Sequence, residues 1–210
     1  PNYYKIDGMP VFSIYETSTF IREMRGEAEA IAALDRFRQK CVDAGLPGVH
    51  IQPILWFLLP ATSTGMAGDT SVSQQNTVRR FGFGSLTNYQ WCHLAPADRD
   101  YQEWGDMASA YYEKFDREFD VPYFPHVSIG WDPNPRYPEG LQPCVTGSTP
   151  ARFEAFLRRA KAYVDAHPDQ PPLITINAWN EWAEGSCLEP DSLNGYGYLE
   201  AVKRVFRTIE

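Results

Sequence analysis

The 210-residue sequence has little positive charge and no long apolar run. Its 19 Lys and Arg are outnumbered by 27 Asp and Glu, which gives a formal net charge of −8. Nucleic acids and anionic membrane surfaces bind basic faces, so neither is expected as a partner. The longest apolar stretch, Ile51–Ala61, is interrupted by Gln52 and by prolines and falls short of the ~18 residues that span a bilayer.

Cysteine is also scarce, with four residues at widely separated positions: Cys41, Cys92, Cys144 and Cys187. There is no C-x-x-C pair and no regularly spaced histidine partner, so the sequence predicts neither a zinc site nor a disulfide scaffold. We expect reduced thiols and no metal or cofactor. The chain begins at Pro1 without Met, from which we expect an excerpt of a longer protein, with any signal peptide upstream. Compartment and oligomeric state do not follow from the sequence.

Two common site motifs are missing as well. No glycine-rich turn follows the first predicted strand, which argues against a dinucleotide-binding sheet. The serines of the polar segment after residue 60 lack a G-x-S-x-G context, which argues against a serine hydrolase. A hydrophobic fraction of 43% with 22% charged residues is nevertheless typical of a folded globular chain.

Strand and helix patterns alternate along the chain. Apolar runs predict strands, and residues at helical spacing predict helices. The predicted strands are Val11–Tyr15, Val49–Leu59, Ser85–Tyr89, Tyr123–Gly130 and Leu173–Trp179. The predicted helices are Glu27–Ala44, Asp98–Phe119, a helix that Thr149 caps with Pro150 at its first position, and Tyr196–Phe206; Ala61–Gln75 is predicted to be a long loop.

This alternation predicts an α/β fold with a parallel sheet. An open doubly wound sheet and a (β/α)₈ TIM barrel both fit, and the missing glycine-rich turn favours the barrel. A complete barrel needs about 250 residues, so we expect a partial barrel in which the N-terminal strands are missing. Residues 1–210 are then predicted to form a single catalytic domain.

The active site of such a barrel lies where its strands end. Tyr89 ends the third predicted strand, and Trp131 and Asp132 follow the fourth. The last strand is followed by the densest cluster in the chain, Asn180-Glu181-Trp182-Ala183-Glu184. The pair Glu181 and Glu184 could supply one protonated and one ionised carboxyl group, as acid/base chemistry on a sugar requires.

Aromatic residues make up 14% of the chain, and tryptophan faces such as Trp182 suit the C–H face of a sugar ring. Simpler interpretations also stand: the rings fill the core, the glutamates cap a helix or pair with surface arginines, and Trp131-Asp132 is a turn beside a core tryptophan. His126 is predicted to be an interior histidine with satisfied hydrogen bonds.

The C-terminal stretch ITINAWNEWAEGSCLEPDSLNGYGYLEAV resembles the WbsX-like domain, a (β/α)₈ group similar to glycoside hydrolase family 99. Further matching segments are YYKIDGMPVFSIY, SLTNY, PHVSIGWDPNPR and GSTPARFEAFLRRA, so the resemblance covers the chain nearly from end to end. It implies that the strands present are the fourth to the eighth.

The resemblance also implies a mechanism. Glu181 and Glu184 match the acid pair of the family's N-E-W-x-E motif. Glu181 then assists the substrate's own 2-hydroxyl to form a 1,2-anhydro intermediate, and Glu184 serves as acid and then as base, a substrate-assisted form of retaining hydrolysis. Ala183 departs from the histidine of mannan-cleaving members, so α-mannoside specificity does not carry over with the motif.

The expected function is hydrolysis of a polysaccharide or oligosaccharide, endo-acting on α-linked sugars, with Tyr89, Trp131, Asp132, Asn180 and Trp182 as substrate-binding residues. One alternative is a glycosyltransferase of O-antigen or capsular polysaccharide synthesis, for which Asp98-Arg99-Asp100 would be the metal-holding D-x-D candidate. The other is a carbohydrate-binding domain without catalysis.

Overall fold

The protein is a mixed α/β fold in the computed structural model, which describes residues 2–55 and 71–207. Its strands are β1 (Lys5–Ile6), β2 (Met9–Ile14), β3 (His50–Pro53), β4 (His126–Ser128), β5 (Thr175–Asn177), β6 (Asn180–Glu181) and β7 (Ser186–Cys187). Its helices are α1 (Thr17–Glu23), α2 (Glu27–Asp43), α3 (Ser71–Phe81), α4 (Tyr101–Ser109), α5 (Tyr111–Glu118), α6 (Pro150–Ala166) and α7 (Gly197–Phe206). Short 3₁₀ turns occupy Trp91–His93, Asn134–Arg136 and Trp182–Glu184.

By its internal contacts the chain divides into two compact units, the first formed by residues 1–87 and 114–123. It begins with the β1–β2 hairpin, whose turn residues Asp7 and Gly8 both have positive φ (52° and 79°), as a two-residue type I′ turn requires. Strand β2 pairs in parallel with β3. Parallel bridges then join Ile54 to Thr87 and Leu86 to Tyr123.

The second unit comprises residues 88–113 and 124–210. Strands β4 and β5 pair in parallel, with Ser128 opposite Asn177, and β6 pairs with β7 as an antiparallel hairpin. An aromatic cluster fills its core: the Trp91 ring lies 5.2 Å from both Trp104 and Phe156, edge to face. Indole donors buried with these rings are satisfied, since Trp91 Nε1 donates to the His126 carbonyl at 2.8 Å.

Several predicted elements are confirmed with small changes of boundary. Strands occur within the runs around Val11, His50, Val127 and Ile176, and the first long helix spans Glu27–Asp43. Helix α6 begins as predicted, because the Thr149 hydroxyl accepts the Arg152 N–H and Pro150 occupies the first turn. His126 is buried, and both of its ring nitrogens are hydrogen-bonded, to the hydroxyls of Thr175 and Ser128. All four cysteines carry free thiols.

Other predictions were wrong in detail. The predicted loop reaches Gln75, yet α3 begins at Ser71, since Val78 and Phe81 are buried and its last-turn arginines pair with acidic residues of the same unit. The part of that loop at 61–70, and residues 56–59 of the second strand, lie outside the described residues. The strand predicted at Ser85–Tyr89 forms only single bridges at Leu86 and Thr87.

The helix predicted over Asp98–Phe119 is two helices separated at Ala110. The Ser109 hydroxyl donates to the Gly105 carbonyl one turn earlier, at 2.6 Å, and Arg159 donates to the same hydroxyl. Such bonding from a serine back to the preceding turn bends helices, which the apolar spacing alone does not show.

The parallel pairs are those a (β/α) barrel would contain, and the partial barrel of strands four to eight stays a prediction, as does the single catalytic domain. None of the helices in residues 2–55 and 71–207 is long and apolar enough to cross a membrane.

Candidate active site

The predicted acid pair lies on a tight hairpin just beyond β5. Asn180 pairs with Cys187 and Glu181 with Ser186, while Trp182–Glu184 form the connecting 3₁₀ turn. Gly185 closes this turn in the left-handed region, with φ 60°, a conformation that favours glycine. Sequence analysis predicted the acids at a strand end, but it did not predict the hairpin that presents them.

A single guanidinium joins the two acids. Arg136 donates from Nη1 to Glu184 Oε1 at 2.8 Å and from Nη2 to Glu181 Oε2 at 3.0 Å. Both carboxylates therefore face the same site. The simpler interpretation of the glutamates predicted that they pair with surface arginines. Glu181 and Arg136 fit it, since both are accessible, but Glu184 does not, because its side chain is only 9% accessible. Neither glutamate caps α7, since Tyr196 precedes that helix.

The two acids have different surroundings. Glu184 is buried, with 7% of its surface accessible, whereas the side chain of Glu181 is 35% accessible. Burial raises the pKa of Glu184 above its ordinary value, and the hydrogen bond and charge of Arg136 oppose that rise. Glu184 Oε2 is buried and has no hydrogen-bond partner among the described residues. A carboxyl group with a raised pKa keeps its proton to a higher pH than an ordinary glutamate does, which suits a proton donor.

A second turn carries Arg136 to the pair. It follows β4, and Pro133 is its first flanking residue. The predicted site residue Asp132 lies directly before Pro133, and its Oδ1 accepts the backbone N–H of Asn134 at 3.0 Å and the Asn134 side-chain amide at 2.6 Å. The Asp132 backbone N–H donates to the Glu184 carbonyl at 2.7 Å. Asp132 is thus beside the pair, and its contacts organise the loop that delivers Arg136. A cavity of about 370 Å³ lies against Arg136 and the loop that follows it.

Tyr89 is also brought to the pair. Burial raises the pKa of its phenol, and the negative charges of Glu184 and Glu181 raise it further, while the side chain of Asn177 forms a hydrogen bond that lowers it. The buried amide of the next residue, Gln90, donates to Asn177 Oδ1 at 2.7 Å. Burial raises the pKa of the Cys92 thiol to about 12, and the negative charge of Glu184 adds to that rise.

The remaining predicted residues lie around this centre. Trp182 is half exposed, and its indole Nε1 donates to Glu189 Oε2 at 2.7 Å, which fixes the ring. Asn180 is exposed in β6, and Trp131 is half-buried directly before Asp132. Arg136 is the residue of the candidate site that the sequence did not single out. The sequence feature that could have indicated it is a basic residue six positions after the predicted strand Tyr123–Gly130.

The D-x-D candidate has structural partners. Asp100 caps α4 through the Gln102 N–H and pairs with Arg152 at 2.7 Å, and Asp98 pairs with Arg99. Within the described part of the chain, no group of three His, Cys, Asp or Glu side chains could hold a metal ion.

Among solved structures, a glycoside hydrolase-like protein is similar to this chain with a TM-score of 0.62 and 18% identity, over 99% of this chain and 57% of that one. The GH99 endo-α-mannosidase from Bacteroides thetaiotaomicron, in complex with Bis-Tris propane, is similar with a TM-score of 0.50 and 11% identity, over 97% of this chain and 58% of that one. At these identities the likeness shows the fold.

Two curated relatives, both named uncharacterized protein WxcX and both from Xanthomonas campestris pv. campestris (strains ATCC 33913 and B100), are 26% identical over 205 residues. The match covers 97% of this chain, which spans 28% of the length of each relative. The family model described as Glycosyltransferase WbsX matches residues 1–202. The hairpin with its acid pair falls inside that match, and the chain belongs to the WbsX family.

Proposed function

We propose that the protein is a glycoside hydrolase in which Glu181 and Glu184 are the acid pair of a (β/α)₈ TIM barrel, with this chain supplying strands four to eight. The observation that carries the proposal is the shared guanidinium: Arg136 contacts both carboxylates, so both act on one bound ring. Their unequal burial supports two different roles.

Glu184 is the proton donor. It is buried, its pKa is raised, and its Oε2 is available to hold the proton. The leaving oxygen of the glycosidic bond takes this proton as the bond to the anomeric carbon breaks. Glu184 is then ionised and can remove a proton from the water that completes hydrolysis.

Glu181 is the base. Its more accessible carboxylate removes the proton of the substrate's 2-hydroxyl, and O2 attacks the anomeric carbon to form the 1,2-anhydro ring while the leaving oxygen departs. Water then opens this ring at the anomeric carbon, and O2 regains its proton from Glu181. Because O2 must attack from the face opposite the leaving oxygen, the preferred substrates have the 2-hydroxyl trans to the glycosidic bond, and the configuration is retained.

The other predicted residues would hold the sugar. Tyr89 and Asn180 offer a hydroxyl and an amide to its hydroxyl groups, and Asp132 offers a carboxylate. The half-exposed face of Trp182, held by Glu189, suits the apolar face of a sugar ring. Trp131 lies just before the turn that carries Arg136. An aromatic face of this kind supports binding along a polysaccharide chain.

The test is replacement of each acid in the full-length protein. Glu181→Gln should lower kcat about 10²–10⁴-fold on polysaccharides and on aryl α-glycosides alike, because the base is needed for both. Glu184→Gln should lower kcat/KM similarly on polysaccharides but far less on aryl glycosides with an acidic phenol, because their leaving oxygen needs no proton. On these aryl glycosides kcat should still fall, since opening of the 1,2-anhydro ring needs Glu184 as the base. Glu103→Gln is the matched control, since Glu103 also pairs with an arginine, Arg99, on the surface of α4. Wild-type turnover of polysaccharide in either acid variant would refute the assignment.

A hydroxylated diamine offers an independent probe of the carboxylate pair. The B. thetaiotaomicron enzyme was solved in complex with Bis-Tris propane, a cationic polyol. We expect Bis-Tris propane to bind this protein at the acid pair and to bind at least about 10-fold more weakly to Glu181→Gln, because the neutral amide removes the charge attraction. Equal affinity for the wild type and the variant, measured by calorimetry, would place the amine elsewhere.

The family description favours a second function, glycosyl transfer in polysaccharide synthesis. The same full-length protein, incubated with nucleotide sugars and an acceptor, distinguishes the two. Transfer without hydrolysis would favour the transferase. Binding of oligosaccharide without any product would favour a carbohydrate-binding domain. Asp98-Arg99-Asp100 is a poor candidate for the metal site of a transferase, because Asp100 already caps α4 and forms an ion pair with Arg152.

A further inference from the structure

Arg136 is held in place by the loop from which it projects. Asn134 and Gln142 are tied together, with the Gln142 N–H donating to Asn134 Oδ1 at 2.7 Å and Asn134 Nδ2 donating to the Gln142 carbonyl. The backbone N–H of Arg136 donates to the carbonyl of buried Pro133 at 2.9 Å. The guanidinium is therefore presented from a fixed main chain, although 44% of its side chain is accessible.

This loop is packed directly on the turn that carries Glu184. A Cβ atom added at Gly130 would lie 2.8 Å from the Gly185 carbonyl oxygen, and one added at Gly185 would lie 2.9 Å from Asp132 Cβ. Together with the hydrogen bond from Asp132 to the Glu184 carbonyl, these contacts leave no space between the two turns. The main chains of the two turns are thus held in contact, which brings Arg136 within reach of Glu184.

We propose that Arg136 is a positioning residue of the acid pair, which holds Glu181 and Glu184 at one site and directs the transferable proton to Glu184 Oε2. Its hydrogen bonds use Oε1 of Glu184 and Oε2 of Glu181. One buried oxygen of Glu184, Oε2, is then left without a partner among the described residues, and it is the oxygen that the hydrogen bonds of Arg136 leave for the proton.

The charges around Glu184 support this role. Arg136 is the cation that acts on Glu184, while Glu181 adds a second negative charge. The charge of Glu184 also acts on the Tyr89 phenol and the Cys92 thiol, and the Asp132 backbone N–H donates to the Glu184 carbonyl. With Arg136 present, one positive charge faces two carboxylates. Without it, the carboxylates would repel each other, so one proton would be retained between them to a higher pH.

The proposal deepens the proposed function and rests on it, but the effect of Arg136 on the proton of Glu184 can be measured without turnover. In the full-length protein, the infrared band of the protonated Glu184 carboxyl is isolated as the difference between the wild type and Glu184→Gln. Its midpoint with pH is then compared in Arg136→Gln, in Arg136→Lys and in Arg152→Gln. Arg152 is a matched control because it also pairs with an acid in a loop and is similarly exposed.

We expect the midpoint to move to higher pH in Arg136→Gln, to move less in Arg136→Lys, which keeps the charge, and to stay in place in Arg152→Gln. An unmoved midpoint in Arg136→Gln, or an equal move in Arg152→Gln, would overturn the proposal.

The kinetic consequence is tested separately. On aryl α-glycosides, kcat/KM of Arg136→Gln should fall about 10²-fold, as for a displaced reacting group, and its pH profile should shift to higher pH. If no hydrolysis is detected in the wild type, the proposed function fails while the infrared titration still decides the role of Arg136. If hydrolysis occurs and Arg136→Gln keeps the wild-type profile, the positioning role fails alone.

Discussion

Acidification should weaken the second unit through two buried histidines. His126 is 1% accessible, and burial lowers its pKa to about 3, with the nearby charge of His93 adding to the effect. Burial likewise lowers the pKa of His93 to about 4. Both are neutral in the folded protein over a range in which they would be charged in the unfolded chain. The unfolded state thus binds more protons, and stability falls as the pH decreases below 6.5.

The magnitude follows from linkage. Each pH unit below the unfolded value costs about 1.4 kcal/mol for each histidine that stays neutral. Between about pH 7 and pH 4.5, this amounts to about 2.5 kcal/mol for His126 and slightly less for His93, or about 5 kcal/mol together. A loss of this size is a large part of the stability of a typical domain.

The decisive variant is His126→Gln, which cannot gain a charge and keeps hydrogen-bonding groups for Thr175 and Ser128. Urea unfolding of the variant and of the wild type is measured at each pH. The variant should be less stable at neutral pH, because it loses packing, but it should lose about half as much free energy on acidification. Equal losses in both proteins, or an imidazole NMR signal of His126 that titrates near pH 6.5, would refute the reasoning.

Three further predictions concern stability. Gly105→Ala should cost about 1–3 kcal/mol in urea unfolding, because the added Cβ would lie 2.3 Å from Phe156 Cζ, whereas Gly140→Ala, with open space around it, should cost far less. Thr149→Ala should cost about 1 kcal/mol through loss of the α6 cap, and Thr149→Ser should restore most of it. Glu184→Gln should gain stability relative to the wild type as pH rises, because the raised pKa of Glu184 means that its stabilising contribution is present at low pH and lost as the carboxyl ionises. A difference between these two proteins that stays constant with pH would contradict this last prediction.

The sequence supplied most elements of the fold because burial leaves a pattern. Long helices such as α2 and α6 repeat apolar residues at helical spacing, and Thr149-Pro150 marks a start by local chemistry. The predicted strands are longer than the strands of the structure. The run Tyr123–Gly130 is buried throughout, but only His126–Ser128 form a ladder, since burial continues where pairing stops. The break at Ala110 was missed because it depends on Ser109 and Arg159, which meet only in the folded chain.

The acid pair could be predicted because both members are close in sequence at a strand end. Arg136 could not, because 45 residues separate it from Glu181 and the turn that presents it is built from polar contacts of Asp132 and Asn134. The aromatic content had a mixed explanation. Trp91 and Trp104 pack in the core, as the simpler interpretation predicted, whereas Trp182 is half exposed beside the acids.

The contact between Gly130 and Gly185 has a consequence for how this site could change. Two backbones that touch without side chains fix the dimensions of the charged centre, so no substitution at either glycine can widen it without separating the loops. Exposed neighbours such as Trp182 and Tyr137 are under no such restriction. Under the proposed function, a change of sugar preference, by mutation or by design, would therefore proceed at the exposed residues, around a spacing of the acid pair that the main chain keeps constant.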